Sequence, residues 1–368
     1  MARRLKIACL AALFSVVLLA ACEKSLHEKD ERYVFVATNI SLPYWQDAKA
    51  GFMESAQVLG VKGEFSGPNT YAPDEELKTF QNAAATHPAG IVVSPARPGI
   101  FKDAIDKAIE EGVPVVCADS DSPASHRILF IGTDNFRAGL KSGRLVADVL
   151  HQHGRVVLLT IHDQYNLDER LRGVQEELKK YPYVTFYKVY DDRGDPQVAE
   201  QGVSEILQNK ESFDAILCLE ASGGPGAAKA LARFGLSGKI PIVAMDANPE
   251  TLDGISKGVI VATVAQKPYT MAFYGLRFLD DLHHNSVHEF KDWRTAPASP
   301  LPAARARLLH SGRSGPASPL RSLGPARCSA PHLCRHGTPH GAPGGSAARP
   351  APGVDAVPWV RNGRDRPI

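Results

Sequence analysis

From Tyr33 onward, short runs of apolar residues alternate with stretches that repeat apolar residues at helical spacing. Tyr33 to Thr38 reads as a strand, and Tyr44 to Leu59 as a helix that stops at Gly60. Asp74 to Ala85 is a second predicted helix, GIVVS (90–94) a second strand, Gly99 to Glu111 a helix and VPVVCADS (113–120) a third strand. After ILFIG the alternation repeats: a helix through Val149, RVVLLT, a helix over Asp168 to Lys180, VTFYKVY, a helix from Pro196, AILCLE, a helix through Phe234, and IPIVAMD. Strands apolar on both faces and spaced by helices imply parallel sheets covered on both sides, built from right-handed βαβ units. Two series of comparable size predict an α/β chain of two doubly wound, Rossmann-like domains. The first lobe is expected to take residues 32–133 with 267–285, and the second 134–266.

In open parallel sheets, ligands sit beyond the carboxyl ends of the strands. The residues expected there are Asn39 to Trp45, Ser94, Asp119 to Asp121, Thr133 to Asn135, Glu220 to Gly224, Met245-Asp246 and Gln266. Carboxylates, amides and hydroxyls beside two large aromatics, Tyr44 and Trp45, suit a polyol: aromatic faces cover its CH surfaces while the acids and amides take its hydroxyls. Any one Asp after a strand could instead cap the next helix. Capping explains Asp134 or Asn248 well, but not Gln266, which ends the apolar run IVATVA before KPY.

Composition changes this picture at the two ends. The chain carries +2 overall, but the segment before Cys22 holds +3 and the last 68 residues hold +8, leaving −9 between them. That leaves no basic footprint for nucleic acid in the globular part, and no helix-turn-helix precedes Tyr33. Residues 1–21 have a basic start (Arg3, Arg4, Lys6) and an apolar run, as an export signal does. Leu19-Ala20-Ala21-Cys22 resembles a bacterial lipobox, so Cys22 is the expected lipidation site and residues 22–31 a polar tether. The expected location is the periplasm or cell surface, with the chain held to a membrane by lipid. Cys117 and Cys218 lie in strand-like apolar runs without metal spacing and read as buried. After about Pro302 there is no Lys and much Pro, Gly, Arg and Ala, so residues 301–368 are expected to be disordered, or the product of a frameshift.

The sequence resembles the ribose-binding type of periplasmic solute-binding protein, whose fold is shared with the ligand domains of lac-repressor-like regulators. LPYW (42–45), GIVVSP (90–95), VPVVCADSD (113–121), IGTDN (131–135), ERLRG (169–173), VAMDANPETLDGISKG (243–258) and ATVAQKPY (262–269) carry the resemblance, in order, across residues 32–290. It implies two lobes joined by three crossovers, near Asp119 to Asn135, Met245 to Asn248 and Gln266, that close on a ligand. It implies that Tyr44 and Trp45 sandwich a sugar, that Asp119, Arg172, Asp246 and Gln266 bind it, and that the protein is a monomer delivering its ligand to ABC permease subunits. No cofactor, metal or catalysis is implied. The alternative is a ligand sensor for a chemoreceptor or sensor kinase.

Departures from that pattern bear on the ligand. Leu42, Ser120 and Glu220 stand where ribose binders carry Asn, Arg and Asn. A site built for one hydroxyl pattern rejects analogues that leave its polar groups unpaired, so a hexose, an inositol, or an amino or deoxy sugar is expected instead of ribose, with Glu220 favouring an extra donor. The loop ASGGPGAAKAL (221–231) lacks the ending of a phosphate-binding loop. His283, His284 and His288 lack a completing Cys or carboxylate pattern and read as solvated surface. Asp119 and Asp121, two apart on an extended segment, face opposite ways and do not form a hydrolase pair.

Overall fold

The structure is a computed structural model; it describes residues 27, 28 and 30–284, and the backbone of 359–361. The first sheet contains β1 (Arg32–Val36), β2 (Lys62–Ser66), β3 (Gly90–Val93), β4 (Val115–Ala118) and β5 (Leu129–Ile131), ordered β2-β1-β3-β4-β5 and parallel throughout. One face is covered by α1 (Pro43–Leu59) and α9 (Pro268–His283), which bury Phe52 and Leu276 against Tyr33, Phe35 and Val116. The other face is covered by α2 (Pro73–Ala84) and α3 (Pro98–Glu110), with Phe80 and Ile105 on Val34, Ile91 and Val115. Successive residues of β1 thus enter different cores, which is why the run reads as apolar throughout.

The second sheet repeats the plan with β6 (Gly154–Thr160), β7 (Val184–Asp191), β8 (Ala215–Cys218), β9 (Ile242–Met245) and β10 (Ala262–Val264), ordered β7-β6-β8-β9-β10. Helices α4 (Asn135–Val149) and α5 (Tyr165–Leu178) cover one face, and α6 (Pro196–Gln208), α7 (Gly223–Arg233) and α8 (Pro249–Ser256) the other. Proline opens α1, α2, α3, α6, α8 and α9, where its missing N–H has no intrahelical partner to lose. Cys117 and Cys218 are buried free thiols within β4 and β8, as expected.

The structure adds to and corrects the sequence reading in three places. β2 was not anticipated: KGEFS is an edge strand with exposed and half-buried positions in alternation, so it lacks the continuous apolar run that marks the inner strands. Met245 to Asn248 is no crossover, because β9 and β10 are neighbours in one sheet. The chain passes between lobes after β5 and again between β10 and α9, which packs on the first sheet, while β11 (Trp359–Arg361) pairs with β10 in the second. β11 is antiparallel at the sheet edge and falls in the segment expected to form no element. The export segment, Cys22, His288 and the rest of the tail lie outside the described residues.

One helix contact positions the site directly. A Cβ on Gly139 of α4 would lie 2.0 Å from the Arg170 carbonyl oxygen, and one on Gly173 of α5 would lie 2.1 Å from that of Phe136. The two backbones therefore touch, and this close approach sets where Arg170 emerges from α5. Gly173→Ala must push the helices apart, so urea unfolding is expected to show a loss of about 1–3 kcal/mol, whereas Gly99→Ala, whose Cβ meets nothing within 4 Å, should cost far less.

Candidate functional site

The carboxyl ends of β1, β4, β6, β8 and β9 converge on a narrow cleft between the lobes, with a cavity volume of about 50 Å³. Asp119 follows β4 and Asp246 follows β9, the fourth strand in each lobe's order. Each donates its N–H to the next strand, Asp119 to Ile131 O at 3.1 Å and Asp246 to Val264 O at 2.9 Å. Both adopt left-handed backbone, with φ of 65° and 67°. Asp tolerates that conformation better than most residues but at a cost of roughly 1 kcal/mol or more, and here it directs two buried carboxylates into the cleft.

Between them stands Arg170, 1% exposed. Its Nε donates to Asn135 Oδ1 at 2.8 Å, Nη1 to Leu219 O at 2.7 Å and Nη2 to Gln266 Oε1 at 2.6 Å. A guanidinium has five N–H groups, so two remain for a ligand. Gln266 ties the parts together: Oε1 also accepts from Thr133 Oγ1 at 2.8 Å, and Nε2 donates to Asp246 Oδ1 at 2.9 Å. Across the lobes, Asn166 Nδ2 donates to Asp119 Oδ2 at 3.2 Å, while Tyr44 donates its phenol to Asp119 Oδ1 at 2.6 Å.

The expected residues separate into distinct roles. Tyr44, Trp45, Asp119, Glu220, Asp246 and Gln266 line the cleft. Tyr44 and Trp45 meet edge to face at 85°, since neighbours on a helix point about 100° apart. They form a corner of the cleft instead of two parallel plates. Ser94 is fully buried behind Asp119, its Oγ 3.5 Å from Oδ2. Glu220 accepts from the N–H groups of Ser222 at 2.6 Å and Gly223 at 2.5 Å, so its carboxylate serves first as the cap of α7.

Arg172 is corrected. It lies on the outer side of α5, paired with Glu169 and stacked over Phe136 at 4.2 Å. Two residues along a helix is about 200° of rotation, so the guanidinium in the cleft belongs to Arg170. Asn39, within the stretch expected after β1, also lines the cleft, whereas sequence reasoning missed Tyr71, Gln164 and Asn166. Gln164 and Asn166 lie just beyond β6, where the strand-end rule points, so that signal was present. Gln164 is buried and its Oε1 accepts no hydrogen bond from described residues, which leaves an acceptor for a ligand hydroxyl. Asp121 is held by the Arg127 guanidinium (Nη2 to Oδ2, 2.7 Å) and, unlike Asp119, does not line the cleft.

Electrostatics follow from burial. Desolvation pushes the Asp246 carboxyl up to about 7, opposed by Arg170 and by the Gln266 hydrogen bond and reinforced by Asp119 and Glu220. Burial raises Asp119 in the same direction, again opposed by Arg170. Asp192, fully buried and facing Gly223 beside Glu220, is driven well above the usual carboxylate range by burial and then by Glu220. Three carboxylates and one guanidinium line the cleft, so its surroundings are net acidic.

Residues 33–284 match the periplasmic binding protein domain family, and the chain belongs to it. Among curated proteins it is 26% identical over 259 residues to the D-allose-binding periplasmic protein of Escherichia coli (strain K12), covering 68% of this chain and 83% of that one. Among solved structures it is similar to a sugar-binding protein of a sugar ABC transporter from Bacillus halodurans (34% identity, TM-score 0.62, covering 70% and 88%). It is also similar to AraP, an arabinose-binding protein from Geobacillus stearothermophilus (34% identity, TM-score 0.60, covering 73% and 92%). These relatives are binding proteins, in keeping with a cleft that binds without chemistry.

The raised Asp246 carboxyl makes a signed prediction. Between its unperturbed value of 3.8 and about 7, the folded chain keeps a proton that the unfolded chain has released, so this group lowers stability as pH rises through that window. Asp246→Asn removes the effect. Its stability relative to the unaltered chain is expected to rise from pH 4 to pH 8, by at most about 4 kcal/mol, in urea unfolding without ligand. A difference independent of pH would show that Arg170 already holds Asp246 ionised.

Proposed function

We propose that the chain is an extracytoplasmic receptor that encloses a neutral sugar or sugar-like polyol between its lobes by hinge closure and delivers it to an ABC importer permease. The observation that carries this reading is the matched pair Asp119 and Asp246 flanking Arg170, beside the aromatic corner of Tyr44 and Trp45. Two carboxylates accept hydroxyls in fixed directions, two guanidinium N–H groups donate to ring or hydroxyl oxygens, and the aromatic faces cover CH surfaces. The excess of carboxylates over cations disfavours a phosphorylated or acidic sugar, whose charge would meet Glu220 and both aspartates. Leu42, an apolar cleft residue where ribose binders carry Asn, supports a ligand other than ribose. The names of the relatives, allose, arabinose and sugar transport among them, support the substrate class and the ABC partnership.

Closure is supported by polar contacts that already cross the cleft. Asn166 reaches Asp119, and Thr133 and Arg170 meet on Gln266. A ligand bridging both lobes would favour the closed form by its differential affinity for it. The lipobox-like sequence ending at Cys22 supports lipid anchoring at the outer face of a membrane. An unmodified Cys22 in membrane-extracted protein, read by mass spectrometry, would remove the anchor from this proposal.

Thermal unfolding against pentoses, hexoses, inositols and amino sugars tests the ligand class. A ligand at about 100 times its Kd adds roughly 2.7 kcal/mol, a visible rise in Tm. One neutral sugar is expected to shift the transition. Arg170→Met should weaken its binding roughly 10- to 150-fold, the loss of one or more charged hydrogen bonds, while Arg172→Ala should leave affinity within about twofold. Equal losses at both positions, or no shift with any sugar in a cooperatively unfolding chain, would sink the proposal.

A further inference from the structure

At the amino end of β1, opposite the cleft, four side chains converge that the ligand site does not use. His27, just before β1, places Nε2 2.9 Å from Asp280 Oδ1 on α9. His284, at the carboxyl end of α9, places Nε2 3.1 Å from Glu31 Oε1 and 3.6 Å from Asp280 Oδ1. All four ligand-type atoms lie within 4.8 Å of one another. Glu31 and Asp280 are 6% and 5% exposed, and the two imidazole side chains 14% and 12%. The solvated-surface expectation for His284 therefore does not hold.

We propose that these residues bind a single divalent ion of the zinc type, through one nitrogen of each imidazole and one oxygen of each carboxylate. Four ligands at roughly 2.0–2.2 Å form a tetrahedron with edges of about 3.3 Å. Three of the six separations, 2.9, 3.1 and 3.6 Å, straddle that edge and all lie within 4.8 Å, so side-chain rotation that draws the widest pair inward completes the tetrahedron. The donor set of two imidazoles and two carboxylates suits zinc over calcium or magnesium, which take oxygen ligands. The outer shell is also present: the fully buried Tyr33 phenol donates to Glu31 Oε1 at 2.8 Å and approaches Asp280 Oδ1 at 3.4 Å, fixing both carboxylates. An access route exists, since Glu31 also lines a surface groove with Glu28, Asp30 and His283, whose carboxylates favour cations. A bound ion would replace the protons now shared between imidazole and carboxylate, and would join residue 27 to positions 280 and 284 across the whole first lobe.

The test is equilibrium dialysis of the full chain against zinc, comparing the unaltered protein with His27→Ala/His284→Ala and with Asp280→Asn, with cooperative unfolding as the folding control. The tail also carries His and Cys residues of metal-ligating type, so the difference between proteins is the readout. One zinc per chain more in the unaltered protein, with affinity at least tenfold weaker in either variant and a zinc-dependent rise in Tm that the variants lose, is the expected result. Equal zinc in all three proteins, meaning metal on the tail or adventitious ions only, overturns the proposal. Cobalt substitution of the unaltered chain gives an answer that needs no variant: intense tetrahedral visible bands without a thiolate charge-transfer band support the site. A weak six-coordinate spectrum, or a thiolate band as the sole strong feature, rules it out.

Discussion

A guanidinium buried as deeply as that of Arg170 is tolerated only if its donors are paired and its charge is answered nearby, and the core of this molecule is arranged to meet that demand. Its three satisfied N–H groups reach α4, the end of β8 and the passage into α9. Asp119 and Asp246 supply the opposing charge from the two lobes. The contact of Gly139 with the α5 backbone brings the side chain to that depth. Gln266 has to be an amide here, because it must accept twice, from Arg170 and Thr133, and donate to Asp246. A glutamate would accept but not donate, and add a further buried anion; a leucine would orphan three partners.

The second constraint is the repetition of one strand order in both lobes. Because each sheet reads 2-1-3-4-5, the same fold position, the residue after the fourth strand, is offered twice. The chain fills it both times with a left-handed aspartate whose N–H binds the fifth strand. Strained backbone persists where surrounding structure over-determines it, and here the ladder bond to β5 or β10 does so. Bringing the lobes together therefore presents two copies of one device to opposite sides of a ligand, with Arg170 as the asymmetric element that sets polarity between them.

Much of this was legible in sequence. The buried strands announce themselves by apolar residues on both faces, and the strand-end rule points to Tyr44, Trp45, Asp119, Glu220, Asp246 and Gln266 among the cleft residues. What escaped did so for identifiable reasons. β2 is an edge strand with polar alternation, so no apolar run marks it. Arg172 was favoured over Arg170 by motif position, and only helical phase, fixed by the packing of α5 on α4, separates the two. The resemblance placed a crossover near Met245 to Asn248, yet sheet pairing of β9 with β10 keeps it within one lobe. The partners of His284 stand as far as 257 positions away at His27, a proximity no local spacing could reveal.

Parallel strands give the first lobe a polarity that keeps its two ionisable clusters apart. The carboxyl end of β1 leads to Thr38 and Asn39 in the cleft, while its amino end begins beside Glu31 and Tyr33 in the histidine-carboxylate cluster. Coupling between two sites needs an element with two arrangements that both sites bias. β1 is not such an element: it is paired on both sides along its length and buried on both faces, so its register cannot shift without exposing both cores. If the lobes close as proposed, the passages after β5 and before α9 are the described segments positioned to take up the change. Neither of these two passages lies at the histidine cluster, whose occupancy should set how the amino-terminal segment is held to the first lobe.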